Sequence, residues 1–137
     1  MYSAKPDLVE VVREAYEELR LRRGEDEANR VAVGNFVARL SPSLVYSVAG
    51  EESPQVHRGR RQVEMLLHHA SEDWESCDFE LNHVERVGCG RVAVHGACRA
   101  RMPSGAAERF EFSAVWTFRG DQARRIETFP GRESRSD

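Results

Sequence analysis

Residues 109–129 read RFEFSAVWTFRGDQARRIETF, and this stretch decides the fold. Phe110, Phe112, Ala114, Trp116 and Phe118 fall on one side of an extended chain, with Glu111, Ser113, Val115 and Thr117 on the other. A period of two with aromatics on one face marks a β-strand pressed against a large apolar interior. Gly120-Asp121 supplies a hairpin turn, and Ala123–Phe129 returns as a second strand. Side chains this bulky on one face suit a strongly curved sheet enclosing a pocket better than a flat two-layer contact.

Upstream, the periodicity changes to that of helices. Pro6 suits a first helical turn. Leu8, Val12, Ala15, Tyr16 and Leu19 then form one apolar stripe, while Arg13, Glu14, Glu17, Glu18 and Arg20 form a solvated face. Gly24 ends this helix. A second runs from Glu27 to Leu40 with Val33, Phe36, Val37 and Leu40 inward, and Ser41-Pro42 breaks it. Leu44–Ala49 reads as a short strand and 50–59 as a loop. A third helix, Arg60–Ser71, carries the stripe Val63, Leu66, Leu67 and Ala70. Strands follow at Cys77–Val87 and Arg91–Met102, joined by Gly88-Cys89-Gly90, and Pro103-Ser104-Gly105 turns into the aromatic strand. Three helices followed by a meander of long strands give an α+β architecture, with the helices covering the concave face of a bent antiparallel sheet. The domain is expected to span residues 1–131, with 132–137 a disordered tail. Strands before residue 40, or a helix between Arg91 and Phe118, would contradict this arrangement.

Composition narrows the classes of function. A chain of 137 residues buries a core without disulfides or metal. The formal charge of −3, with acids and bases interspersed, offers no basic face for nucleic acid and no polybasic membrane anchor. Cys77, Cys89 and Cys98 are an odd count without CxxC spacing, so free thiols in a reducing compartment are expected. The N-terminus lacks a signal-peptide apolar run and no segment has the length to span a bilayer, which leads to the expectation of a cytoplasmic protein.

The order helix–helix–strand–helix–sheet, the segments SPSLVYSVAG (41–50) and HRGRRQVEMLL (57–67), and a strand ending VWTFRG (115–120) resemble the SnoaL-like branch of the nuclear-transport-factor-2-like superfamily. Members have a similar first strand containing Pro-Asp-Val and ending in Pro-Gly, then a Tyr/Phe-Arg-Gly entry into the third helix. Ser43 stands where Asp is usual, Ala49 where Pro is usual and His57 where Tyr or Phe is usual. The resemblance covers nearly all of residues 5–130. It implies a cone-shaped fold that hosts isomerases, cyclases, epoxide hydrolases, dehydratases and binders without activity.

By that resemblance the cone interior is lined by Tyr16, Phe36, Ser47, Val92, Val94, Gly96, Cys98, Phe110, Phe112, Ala114, Trp116, Ile126 and Thr128. Small residues at 96, 98 and 114 beside large aromatics leave room for a flat hydrophobic ligand, although such faces are core in most proteins. Ketosteroid-isomerase chemistry needs a carboxylate base and an oxyanion hole of Tyr and protonated Asp. Tyr16 matches the Tyr, but Ser47 falls at the base position and Ala114 at the acid position. Neither supplies the required group. Arg99, Glu111 and Glu127, the residues that epoxide-hydrolase or cyclase chemistry would recruit, alternate onto the outer face unless a bulge shifts the register.

Among histidines, His57 precedes Arg58-Gly59 in a loop that passes the pocket mouth by resemblance. His83 interrupts the pattern Phe79, Leu81, Val84, as at a bulge, from where either face is open to it, and His95 has outward parity. His68 and His69 are consecutive on a helix and cannot address one site, while His69 and Asp73 read as a surface pair. No HExxH, phosphate loop or nucleophile elbow occurs, so neither a metal centre nor a cofactor is expected. The expectation is a hydrophobic small molecule bound by Tyr16, Phe36, Ser47, Val94, Cys98, Phe112, Ala114, Trp116 and Thr128. Tyr16, Ser47 and His57 are the candidate catalytic set if the protein is an isomerase or cyclase. A homodimer through the outer sheet face is expected, using His95, Arg99, Arg101, Glu111, Val115, Thr117 and Glu127.

Overall fold

A computed structural model describes residues 7–50 and 52–133, with the side chains of 132 and 133 excepted. Pro6 and residues 134–137 of the expected tail lie outside the described residues, whereas 132–133 of that tail belong to the last strand. The first helix, α1 (Leu8–Glu17), is capped by Asp7, whose carboxylate accepts from the Val9 and Glu10 backbone N–H groups. Its stripe of Leu8, Val12, Ala15 and Tyr16 is buried. Beyond it the chain forms a short strand, β1 (Leu21–Arg22), ahead of α2 (Asp26–Ala38). Buried Asn29 of α2 accepts from the Arg22 N–H at 2.8 Å and donates to the Arg22 carbonyl at 2.6 Å. This two-way clamp holds β1 in place and satisfies the one polar side chain that α2 buries. The sequence expectation of no strand before residue 40 is therefore corrected at Leu21–Arg22, where backbone pairing outweighs so short a sequence signal.

The remaining elements are β2 (Leu40–Val48), β3 (Gln55–Arg58), α3 (Gly59–Asp73), β4 (Ser76–Gly88), β5 (Arg91–Arg101), β6 (Ala107–Arg119) and β7 (Gln122–Glu133). They form one seven-stranded sheet in the order β1-β4-β5-β6-β7-β2-β3. Every pairing is antiparallel except β2 with β7, so the sheet is mixed rather than wholly antiparallel. Leu40 belongs to β2 and not to the second helix, and β3 occupies part of the expected 50–59 loop. Both differences come from long-range pairing, which local sequence does not encode.

Irregularities curl the sheet. Leu81 pairs with Gly96 and His83 with His95, leaving Asn82 as the extra residue. At this bend a Cβ on Gly96 would collide with the Glu80 carbonyl oxygen, so glycine permits the close approach. On β7, Ala123 pairs with Phe118 and Arg125 with Thr117, making Arg124 the extra residue and keeping Ala123 and Ile126 both inward and buried. Between Leu40 and Val45 the β2–β7 ladder is broken around Pro42, which has no N–H to donate. The hairpin between β6 and β7 turns on Gly120, at φ +64°.

The helices lie N-terminal to the long strands and pack on the sheet, α1 against β4 and β5 and α3 against β2. The result is an α+β cone. Its narrow part is solid: Val92, Trp116, Ala123, Ile126, Leu40 and Leu44 are fully buried. Its wide part is different, because α3 buries only Val63 completely.

Candidate functional site

A cavity of about 340 Å³ opens beneath α3 at the wide end of the cone. Leu66, Leu67 and Ala70 of α3 form one wall, and Tyr16 and Phe36 close the inner end. Phe79, Cys98, Phe110 and Phe112 make up the sheet wall, while Tyr46, Val48, Thr128 and Pro130 complete the other side. The α3 stripe read from sequence thus faces a space it does not fill. Trp74, just past the helix, stacks on Phe110 with centroids 6.1 Å apart.

Of the nine residues expected to bind ligand, the structure brings Tyr16, Phe36, Cys98, Phe112 and Thr128 to this cavity. Val94, Ala114 and Trp116 do not line it. They lie deeper on the same inward face, in the packed core, as do Val92, Gly96 and Ile126. The gap expected at Ala114 is closed: the residue is 1% exposed. Ser47 is not at the cavity either. Leu44 is buried and Tyr46 and Val48 line the space, so alternation turns Ser47 outward with Val45. The larger apolar set at 44, 46 and 48 was the available signal for this parity.

Two phenols dominate the polar chemistry. Tyr16 accepts a hydrogen bond from the Trp116 indole N–H at 3.0 Å, which leaves the phenol's own proton free to donate. Among the described residues no other side chain bonds to that hydroxyl. Its ring sits amid Phe36, Phe79, Phe112 and Trp116, with centroids 5.4–6.0 Å away. Burial raises the Tyr16 pKa far above its ordinary value, and nearby Tyr46 raises it further. Tyr46, hydrogen-bonded by the Thr128 hydroxyl at 3.4 Å, is also raised by burial. Both phenols are therefore neutral donors and not bases.

His57 pairs with Tyr46 across β2–β3 and so shares its face, with ring centroids 6.2 Å apart. Its Nε2 is buried without a hydrogen-bond partner among the described residues. The loop placement expected for His57 is replaced by edge strand β3, and the residue is not part of the cavity lining. His83 and Glu85 form an exposed pair at 3.1 Å beside the bulge, His95 meets Ser113 on the outside, and His69 meets Glu72 rather than Asp73.

The carboxylate positions also resolve. Glu127 pairs with Arg125 on the outer face at 3.5 Å. Glu111 lies where the β6–β7 register shifts between Phe110 and Phe112, contributes to the cavity rim, and is bonded to Arg109 at 3.1 Å. Among the described residues it is the one acidic side chain in the lining. Among the described residues no group of three or more His, Cys, Asp or Glu is placed to hold a metal ion. No helix among them is long and apolar enough to cross a membrane.

A curled sheet, three covering helices and an apolar cavity at the open end define a class of cone-shaped α+β domains. The chain belongs within that class to the SnoaL-like domain family, whose model matches residues 21–126. No curated protein matches it in sequence. Solved structures share the fold at low identity. An NTF2-like protein of unknown function from Burkholderia pseudomallei K96243 is 18% identical, with 92% of each chain covered and a TM-score of 0.73. A SnoaL-like polyketide cyclase candidate from Jannaschia sp. CCS1 is 15% identical, with 95% of this chain and 89% of that one covered and a TM-score of 0.71. TerC, co-crystallised with polyporic acid, is 15% identical over 90% of this chain and 91% of that one, with a TM-score of 0.68.

Proposed function

We propose that this protein binds a neutral, flat, hydrophobic small molecule carrying a hydrogen-bond acceptor. The observation that carries the reading is an apolar cavity whose deep polar atoms are the hydroxyls of Tyr16, Tyr46 and Thr128. A charged ligand would lose its hydration there without a partner. A carbonyl oxygen would meet the unused Tyr16 proton and strengthen its binding. The polyporic acid complex of TerC supports the idea that a cone of this kind admits a small organic molecule. The Glu111 carboxylate on the rim is already engaged by Arg109, which favours binding over proton abstraction.

A second reading, an isomerase or cyclase, is favoured by the unpartnered His57 Nε2 beside Tyr46. In that reading Tyr16 donates to the developing oxyanion and His57 moves the proton. We further propose a cytoplasmic homodimer formed through the outer sheet face around His95, Arg99, Val115 and Thr117, for which sedimentation at micromolar concentration is the test. A monomer would remove it.

The ligand reading is tested by titrating a flat aromatic ketone and its deoxygenated hydrocarbon analogue, followed by tryptophan fluorescence. The ketone is expected to bind about tenfold tighter, the value of one good hydrogen bond. Tyr16→Phe should erase the difference. Failure of both compounds to bind would end this reading. Turnover of an enolisable ketone that is lost in His57→Ala would favour the enzyme.

A further inference from the structure

Two of the three cysteines meet inside the molecule. Cys77 on β4 pairs with Ala100, and Cys98 on β5 pairs with Phe79, so the two lie diagonally on one face of the antiparallel ladder. The curl of the sheet brings their sulfurs to 3.0 Å, with both side chains buried. A disulfide requires about 2.05 Å, so bond formation asks for a sulfur movement of roughly 1 Å. The two thiols are not equivalent. Cys98 lines the cavity, whereas Cys77 lies behind it, 2% exposed and next to Leu21 of β1. Cys89 sits exposed in the β4–β5 turn, away from any thiol partner.

We propose that Cys77 and Cys98 are a reversible dithiol–disulfide site in the cavity wall, oxidised by a hydroperoxide that enters the cavity and reacts first at Cys98. The Cys98 thiolate attacks one peroxide oxygen, forming an S–O bond and breaking the O–O bond. The leaving oxygen takes the proton that Cys98 released and departs as alcohol or water. Cys98, now a sulfenic acid, has lost two electrons to the peroxide. The Cys77 sulfur then attacks the sulfenic sulfur, the S–S bond forms, the S–O bond breaks, and hydroxide leaves with the Cys77 proton as water. Two thiols and one hydroperoxide thus become one disulfide, one alcohol or water, and one further water. A small dithiol reverses the change by two exchange steps.

The hydrogen bond between the thiols supports this order. Either thiol can donate in this contact; where Cys77 donates, the bond favours the thiolate on Cys98 and lowers its pKa, while the same bond, followed by burial, raises that of Cys77. The sulfur that meets the cavity is the one a hydroperoxide reaches first, and the resolving thiol waits in contact behind it.

The test uses Cys89→Ser, which leaves only the pair. After brief exposure to hydrogen peroxide at neutral pH, intact mass should fall by two hydrogen atoms. Both thiols should become unreactive to alkylation in denaturant, and dithiothreitol should restore them. With Cys77→Ala in the same background, dimedone should label Cys98. With Cys98→Ala, Cys77 should stay reduced. A pair that remains alkylatable after peroxide exposure that converts Cys89 in the natural chain would overturn the proposal. So would oxidation to sulfinic acid without disulfide, or dimedone on Cys77 with Cys98 unlabelled. The first measurement uses the natural pair and does not depend on how the alanine variants fold.

Discussion

The two ends of the cone use the same inward-facing strand positions and reach opposite outcomes. At the narrow end, Trp116, Ile126, Val92 and Leu44 share one buried core with α1 and α2 side chains and exclude solvent completely. At the wide end, Phe110, Phe112, Thr128 and Tyr46 face α3, whose Leu66, Leu67 and Ala70 remain only half-buried around an open cavity. Both regions are apolar and belong to one sheet. What separates them is how completely the helices fill the space over the sheet. An aromatic strand face is core or binding wall according to what is laid over it, and tyrosine hydroxyls mark the boundary between the two.

The largest expected effect falls on that boundary. Trp116→Ala removes a fully buried indole and the donor to Tyr16, and should cost about 3–5 kcal/mol in chemical denaturation. A loss below about 1 kcal/mol would mean that the narrow end is not solid. Next comes a matched pair. Leu44→Ala, at the fully buried end, should cost about 2–5 kcal/mol. Leu67→Ala, on the cavity wall, should cost only about 1 kcal/mol because its side chain is already partly in contact with solvent. Equal losses would erase the contrast.

How far the sequence reveals this contrast depends on the element. The 110–118 alternation identifies the inward face of β6 without help, and the interruption of Phe79, Leu81 and Val84 at His83 correctly marks a bulge. The helix stripes are equally legible, since a 3.6-residue period carries its own register. The strand parity of Ser47 is legible from Leu44, Tyr46 and Val48, but the neighbours of Ser47 and His57 are not. Their placement depends on β2 running parallel to β7 and on β3 adding to the edge, pairings between residues some eighty or ten positions apart. Tyr46 as a cavity phenol follows from the same pairings. Ala114 illustrates another limit: a small residue between aromatics marks a gap only if no neighbouring ring occupies it, and here the gap is filled.

The smallest expected effect is electrostatic. Tyr16 and Tyr46 have folded pKa values raised by burial, so the unfolded chain releases their protons first. Stability from these groups is fully present below the unfolded tyrosine value near 10 and declines as pH rises from there toward the folded values. Denaturation at pH 8 and 9 should therefore agree as far as these groups are concerned. Above the unfolded tyrosine value near 10, their phenolate absorbance should appear only together with the loss of folded circular dichroism. Phenolate formation by both residues in fully folded protein would contradict their burial.

The most direct test of the account is a fluorescence titration of the neutral apolar dye N-phenyl-1-naphthylamine into three proteins. Wild type should bind one dye per chain. Ala70→Phe, which fills the wide end, should weaken binding at least about tenfold, a loss of about 1.4 kcal/mol, with little change in stability. Ala114→Leu, which overpacks the narrow end, should cost about 1–3 kcal/mol of stability and leave the dye affinity unchanged. Dye binding that survives Ala70→Phe but is lost in folded Ala114→Leu would contradict the account and move the binding site to the narrow end.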